Sequence, residues 1–280
     1  MTPKTCLPLA VAAALLAAAP LPAFAAPPKP AANDWRTPDP ENVLVVETNK
    51  GRIIVELAPG VAPAHVERIK TLTRQGFYDG RSFFRVIDGF MDQTGDPQET
   101  GEGQSSLPNL EPEFGFRRGP GQPMAVLDKP GGKEAGLIGV MPVISEPIMQ
   151  SMMTLDGKVG AYVPFCPGVL GMARASEPNS ANSQFFFMRS AYRTLDTKYT
   201  AFGRVISGLD VVRAIKTGEP VEEPRDRMQR VRVLADIPEA ERPNVRVIDT
   251  RGAWFRAYAA DAAKAVGFNV CDLEVPSEVR

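Results

Sequence analysis

Arg85 is the residue from which chemistry can be argued. It stands in residues 83–97, where two apolar runs flank Asp88-Gly89, a strong turn signal, so the segment reads as strand, turn, strand. Alternation puts Arg85 with Phe83 and Ile87 on one face, and Phe84 with Val86 on the other. A guanidinium in such a setting is costly unless a polar group meets it. Two readings stand at this point: the missing partner is the carbonyl of a ligand, or the arginine pairs with Asp96 or a more distant acid. Other chemistries have less behind them. His65 is the only histidine and is expected at the surface, which leaves Ser-His-Asp or Cys-His triads and a histidine-based zinc site as weak readings.

Two further stretches decide between the readings of Arg85. Gly168 to Ala175 (GVLGMARA) leads, through a polar loop, into Ser183-Gln184-Phe185-Phe186-Phe187. Later comes Leu195-Asp196-x-Lys198-Tyr199-x-x-Phe202-Gly203-Arg204-Val205. With Phe90-Met91-x-Gln93-x-Gly95-Asp96 these make three ordered motifs, and together they resemble the cyclophilins, the peptidyl-prolyl isomerase family. The resemblance covers about residues 42–236, less most of 115–167. It implies a mainly β fold, a closed antiparallel β-barrel capped by two helices.

The resemblance also implies roles. Arg85 matches the catalytic arginine, and Gln93 the side chain that holds the substrate backbone and helps orient the arginine. Phe90, Met91, Phe186 and Leu195 match the apolar walls around the proline ring, and Gln184 a polar residue on the pocket floor. Ala173 and Arg174 match the strand that pairs with residues before the proline, a form of strand addition. Three positions depart from the family pattern. Tyr199 stands where many members have histidine, so altered kinetics are expected. Thr194 stands where cyclosporin-sensitive members carry tryptophan, so weak binding of that drug is expected. Arg174 replaces an asparagine, and its charge is expected to favour acidic residues before proline. Rotation about an X-Pro amide breaks no covalent bond, so the reading calls for no metal and no cofactor.

The elements that position these residues follow in order. Val43 to Thr48 and Arg52 to Leu57 read as a hairpin joined at Asn49-Lys50-Gly51. Pro63, then Val66, Ile69 and Leu72, then Gly76 mark a helix with its stop. A short helix is expected from Leu209 to Lys216 and an alternating strand over Arg230 to Leu234. Residues 115–167 form a long insertion. Its Met141, Met149, Met152 and Met153 read as packing onto the barrel or, alternatively, as an adaptable peptide-binding surface, and Val159 to Val163 as an edge strand. Residues 237–280 read as an extension packed on the barrel, with a strand at 244–248. Its helix, from Ala253 to Val266, presents Trp254, Tyr258, Ala262 and Ala265 on one face.

At the N-terminus Lys4 precedes an apolar run from Leu7 to Ala19, and Ala23-Phe24-Ala25 offers small residues to a signal peptidase. Residues 1–25 therefore read as a secretory signal peptide of bacterial type cleaved after Ala25, which places the mature protein in the periplasm without a membrane span. Residues 26–41 read as a Pro/Ala-rich linker. Cleavage moves the formal charge from −1 to −2, and no dense Lys/Arg cluster is present, which argues against nucleic acid as a partner. Cys166 and Cys271 remain, and in an oxidising compartment they can form one disulfide or stay as two buried thiols. The expected partners are proline-containing unfolded or extended polypeptides, met by a monomer. Three function classes stand: a prolyl isomerase, a non-catalytic peptide-binding chaperone on the same fold, and a structural or assembly protein docking through the C-terminal helix, which has only Trp254 and Tyr258 behind it. The presence of Arg85, Phe90, Gln93 and Phe186 together favours the enzyme.

Overall fold

The computed structural model describes residues 29–280, so the expected signal peptide and its cleavage point lie outside the described residues. From the N-terminal side, β1 (Trp35–Arg36) precedes a hairpin of β2 (Val43–Thr48) and β3 (Gly51–Leu57), and α1 (Pro63–Arg74) follows. A second hairpin joins β4 (Arg85–Ile87) to β5 (Met91–Thr94). The insertion contributes β6 (Phe116–Arg118), β7 (Ala125–Asp128), β8 (Glu134–Ile138), β9 (Met141–Ser145) and β10 (Val159–Tyr162). Then come β11 (Val169–Met172), β12 (Phe185–Met188), β13 (Ala201–Ser207), α2 (Leu209–Ala214) and β14 (Met228–Val233). The tail holds β15 (Val245–Ile248), α3 (Ala253–Ala262) and β16 (Ser277–Val279).

The main sheet has eight strands in the order β14-β2-β3-β13-β11-β12-β5-β4, with every neighbouring pair antiparallel. Its two edges meet. Gly80 N–H donates to Met228 O (2.7 Å), Met228 N–H to Arg81 O (2.9 Å) and Phe83 N–H to Asp226 O (2.9 Å). The sheet thus curls back on itself, which removes the free edges that an open sheet would expose. This is the mainly β architecture expected from the motifs. Helix α1 lies against β13 and β14, and α2 against β3.

The first hairpin is apolar on both faces for a reason. Leu44, Val46, Ile53 and Val55 point into the main core. Val43, Val45 and Ile54 point the other way, into a second buried cluster with Val245 and Val247 of the tail. That tail is a three-stranded sheet, β1-β15-β16, in which Trp35 faces Ile248 and Arg36 faces Val247. Residues 35–36, read as linker, are therefore a strand of the C-terminal sheet, and Arg36 clamps Glu56 of β3 with two bonds of 2.8 Å. Helix α3 ends at Ala262, and its buried face is Phe255 and Ala259. Trp254 and Tyr258 stack on each other at the half-buried rim, 5.3 Å apart, and Ala265 is exposed.

The insertion builds a five-stranded sheet of its own, β6-β10-β9-β8-β7. Residues 159–162, expected as an edge strand, lie inside this sheet between β6 and β9. A buried Arg118–Glu134 ion pair crosses it, and Arg118 Nε also donates to Ser145 Oγ (2.9 Å). Of the four methionines only Met141 is buried. Met149, Met152 and Met153 are 66 %, 76 % and 83 % exposed, because they sit on the 3₁₀ turn between β9 and β10, in which only Ser151 is buried. Packing onto the barrel is therefore not what these three do.

Barrel, insertion and tail are bound together, among other contacts, by a buried arginine and a disulfide. Arg204 of β13, buried, donates to Val140 O in the insertion (3.0 Å) and Leu273 O in the tail (3.2 Å). Burial pushes its guanidinium down to about 10, with Glu274 opposing. Cys166 and Cys271, 105 residues apart, form a disulfide. His65 is fully buried rather than at the surface. The chain at Glu113 crosses the start of α1, where its carboxylate accepts the N–H groups of Ala64 (3.2 Å) and His65 (3.1 Å) and meets His65 Nδ1 (2.7 Å). An anion there meets donors that the helix itself cannot satisfy.

The barrel interior holds one charged pair. Asp92 of β5, fully buried, accepts from Arg189 Nη1 (3.0 Å), and Arg189 also donates to Val212, Arg213 and Ile215 carbonyls at the end of α2. Burial pushes the Asp92 carboxyl up to about 7, against the pull of Arg189. Between its ordinary range and that value the folded protein holds a proton the unfolded chain has released. The stability this group contributes is therefore complete at low pH and is lost as pH rises through about 7. Urea midpoints taken at about pH 4.5 and about pH 7.5 should fall less in Asp92→Asn than in the wild type. A second expectation concerns the staple. Cys271→Ser should lower the melting temperature by roughly 5–10 °C in thermal circular dichroism, and reductant should add nothing further in that variant.

Candidate active site

Strand register assembles the site. Arg85 stands opposite Gln93, Gln93 opposite Phe186, and Phe186 opposite Gly171, one residue from each of β4, β5, β12 and β11. Because side chains alternate, these four share one face, while Val86, Asp92, Phe187 and Leu170 take the other. All four of that second set are buried. The row therefore lies on the outer wall of the barrel.

A chain of hydrogen bonds runs along the row. Arg85 Nη1 donates to Gln93 Oε1 (3.2 Å), Gln93 Nε2 to Gln184 Oε1 (2.9 Å), and Gln184 Nε2 to Gly101 O (2.9 Å) and Gly103 O (2.8 Å). Each amide is used as donor and as acceptor, which fixes its orientation. On the other side, Arg85 Nε and Nη2 both lie 2.6 Å from Glu219 Oε1. Asp96 is not the partner of Arg85. Its buried carboxylate accepts the N–H groups of Gln98 (2.7 Å), Thr100 (2.9 Å) and Gly101 (2.6 Å), folding the loop on which Gln184 is anchored. Burial opposes ionisation of Asp96, yet these amides hold its carboxyl below the usual range.

Beside the polar chain lies an apolar one. Met91 and Phe186 are buried, and Phe90, Leu195 and Tyr199 are half-buried members of the same cluster. The Phe186 ring meets Tyr199 edge-on at 6.0 Å and is backed by Phe165 at 5.8 Å. Phe90 tilts against Tyr192 at 4.5 Å. Gly171 is required beneath this wall, since a Cβ there would come within 2.5 Å of Phe186 Cζ and 2.6 Å of Phe165 Cε1. Such a group of aromatic faces with one polar edge suits a ring-shaped apolar moiety flanked by an amide.

Ala173 and Arg174 follow β11 and border a cleft of about 240 Å³, shared with Gln93, Gln184 and the 101–104 loop. The charge of Arg174 is engaged within the protein. Its guanidinium lies 4.5 Å over the Tyr199 ring and 5.6 Å over Phe114, and donates to the Ala175, Ser176 and Lys198 carbonyls. It clamps the Tyr199 wall rather than reaching outward for an acidic residue. Thr194 is exposed on a 3₁₀ turn. Sequence reading missed Glu219, Phe165 and Tyr192. Phe165 and Tyr192 lie just outside the motifs that begin at Gly168 and Leu195, and Glu219 is 134 residues from Arg85.

The chain was compared with known proteins. The family model described as cyclophilin type peptidyl-prolyl cis-trans isomerase/CLD matches residues 43–235. A probable peptidyl-prolyl cis-trans isomerase of Brucella suis is 35 % identical over 195 residues, covering 66 % of this chain and 76 % of that protein. A peptidyl-prolyl cis-trans isomerase-like protein of Gibberella zeae is 34 % identical over 188 residues, covering 64 % of this chain and 88 % of that one. Among solved structures, a cyclophilin from Hirschia baltica superposes with a TM-score of 0.81 at 36 % identity. That match covers 88 % of this chain and 93 % of the other, so it includes much of the insertion and tail.

Proposed function

We propose a mechanism and a setting for this chain from the premise that it belongs to the cyclophilin family and is a peptidyl-prolyl cis-trans isomerase. The planar X-Pro amide resists rotation by about 18–20 kcal/mol because its nitrogen lone pair is conjugated with the carbonyl. In the twisted state that lone pair is released and can accept a hydrogen bond. Only groups that bind the twisted state better than the planar one accelerate exchange.

Arg85 is the group we assign to this task. Its permanent charge and fixed fork of donors favour the carbonyl and the released lone pair without reorganising. Phe90, Met91, Phe186, Leu195 and Tyr199 hold the proline ring. Gln93, itself bonded to Gln184, carries the substrate backbone, and Ala173 with Arg174 borders the residues before proline. The observation that carries this reading is the single cross-strand row Arg85, Gln93, Phe186. It sets donor and ring pocket side by side on a rigid sheet.

The setting we propose is the periplasm, where the enzyme assists the folding of exported proteins. The leader-like residues 1–25 support it, as does the Cys166–Cys271 disulfide, a bond that persists in oxidising compartments. Cell fractionation with N-terminal sequencing should recover a periplasmic chain that begins at Ala26. A cytoplasmic chain that begins at Met1 would overturn the setting. For the mechanism, NMR exchange spectra of a short X-Pro peptide should report fast interconversion with the wild type. Arg85→Ala should lose roughly 100-fold in rate while still binding the peptide, and Arg85→Lys should recover only part of it.

A further inference from the structure

Glu219 is placed beside Arg85 by backbone, not by chance of side-chain reach. The segment after α2 runs antiparallel along the outer edge of β4. Val86 N–H donates to Gly218 O and Gly218 N–H to Val86 O, both at 2.8 Å, and Val221 N–H donates to Phe84 O at 2.9 Å. Gly218 therefore makes an isolated antiparallel bridge to Val86, and the turn at residues 219–220 that follows it lies alongside Arg85. The segment is pinned from its far side as well. Lys216 Nζ donates to Glu222 O (2.7 Å) and Arg225 Nε to Val221 O (2.7 Å).

A guanidinium carries five N–H donors in a rigid plane. Glu219 Oε1 occupies the edge made by Nε and Nη2, and Gln93 Oε1 occupies one donor of Nη1. Two donors stay open, one on each terminal nitrogen, and neither can swing away while both anchors hold. The Arg85 side chain is 36 % exposed. Without a second anchor a long side chain at such a position would sample many rotamers and present its donors at the reacting amide only part of the time. Gln93 alone grips a single nitrogen and would leave the plane free to turn about that bond.

We propose that Glu219 is a positioning residue of the isomerase. It grips the inner edge of Arg85 so that the open donors stay directed into the proline groove. This deepens the reading of Arg85 given above and rests on it. Glu219 acts through the arginine and needs no contact with substrate, so its loss should appear in turnover rather than in peptide affinity.

The test is a double-mutant cycle between Glu219→Ala and Arg85→Ala, with Glu219→Gln as a variant that keeps an acceptor oxygen. Exchange rates on an X-Pro peptide are measured as kcat and KM separately, with melting curves on each protein. Glu219→Ala should lower kcat about 10-fold with KM within about twofold, and Glu219→Gln should lose less. In the Arg85→Ala background Glu219→Ala should change nothing. Wild-type kcat in Glu219→Ala, or the same fold loss in both backgrounds, would overturn the inference. An active wild type whose Arg85→Ala variant is fully active would instead remove the mechanism on which it rests.

Discussion

A cation on the outer wall of a barrel keeps its direction only if its side chain is gripped, and one continuous line of hydrogen bonds does this for Arg85. Arg85 is gripped on one side by Gln93 and on the other by Glu219. Gln93 is held in turn by Gln184, and Gln184 by two carbonyls of a loop that the buried carboxylate of Asp96 folds. The links run from 2.6 to 3.2 Å, and each amide in the line both accepts and donates, so a rotamer change at one of them would break bonds on both of its sides. Linked bonds of this kind polarise one another in a partly dry environment, and they also make each member costly to remove.

The apolar half of the site depends on parts that lie outside the family motifs. Phe165 backs the Phe186 ring and comes from the very end of the insertion, one residue before the cysteine that ties it to the tail. Its N–H donates to Asp196 at the turn carrying Leu195, and Tyr192 N–H returns to Phe165 O. The end of the insertion is thus bonded to the pocket wall, and Arg204 and the disulfide carry that attachment on to the C-terminal tail at Cys271 and Leu273. A segment outside the motifs can in this way still fix the position of the Phe186 ring.

What was legible in the sequence is what local pattern can carry. Alternation around Asp88-Gly89 put Arg85 on a strand, and short motifs put Gln93 and Phe186 on others, with Gln184 just ahead of β12. Register then brought them together without any long-range information being needed at the residues themselves. The partners that close across the fold left no such mark. Nothing near Arg85 points to Glu219, and nothing near His65 points to Glu113, because both pairings arise only when the chain returns to an edge or a helix start. One long-range signal was present and unread. Val43-Leu44-Val45-Val46 does not alternate, and an unbroken apolar run in an antiparallel strand means that both faces are covered. The second cover is the tail sheet, with Trp35 and Arg36 as one of its strands.

The same logic accounts for the interior pair of Asp92 and Arg189. A strand that offers Gln93 to the groove must turn its neighbour Asp92 into the barrel, and an acid there is tolerable only beside a cation. Arg189 supplies that charge while its two terminal nitrogens also donate to the last carbonyls of α2, which a helix cannot bond internally, and its buried Nε has no partner among the described residues. It also ties the end of β12, two residues past Phe187, to the helix from which the chain leaves toward Glu219. The groove on one face of β5 and the charge on the other are thus joined through consecutive residues of one strand.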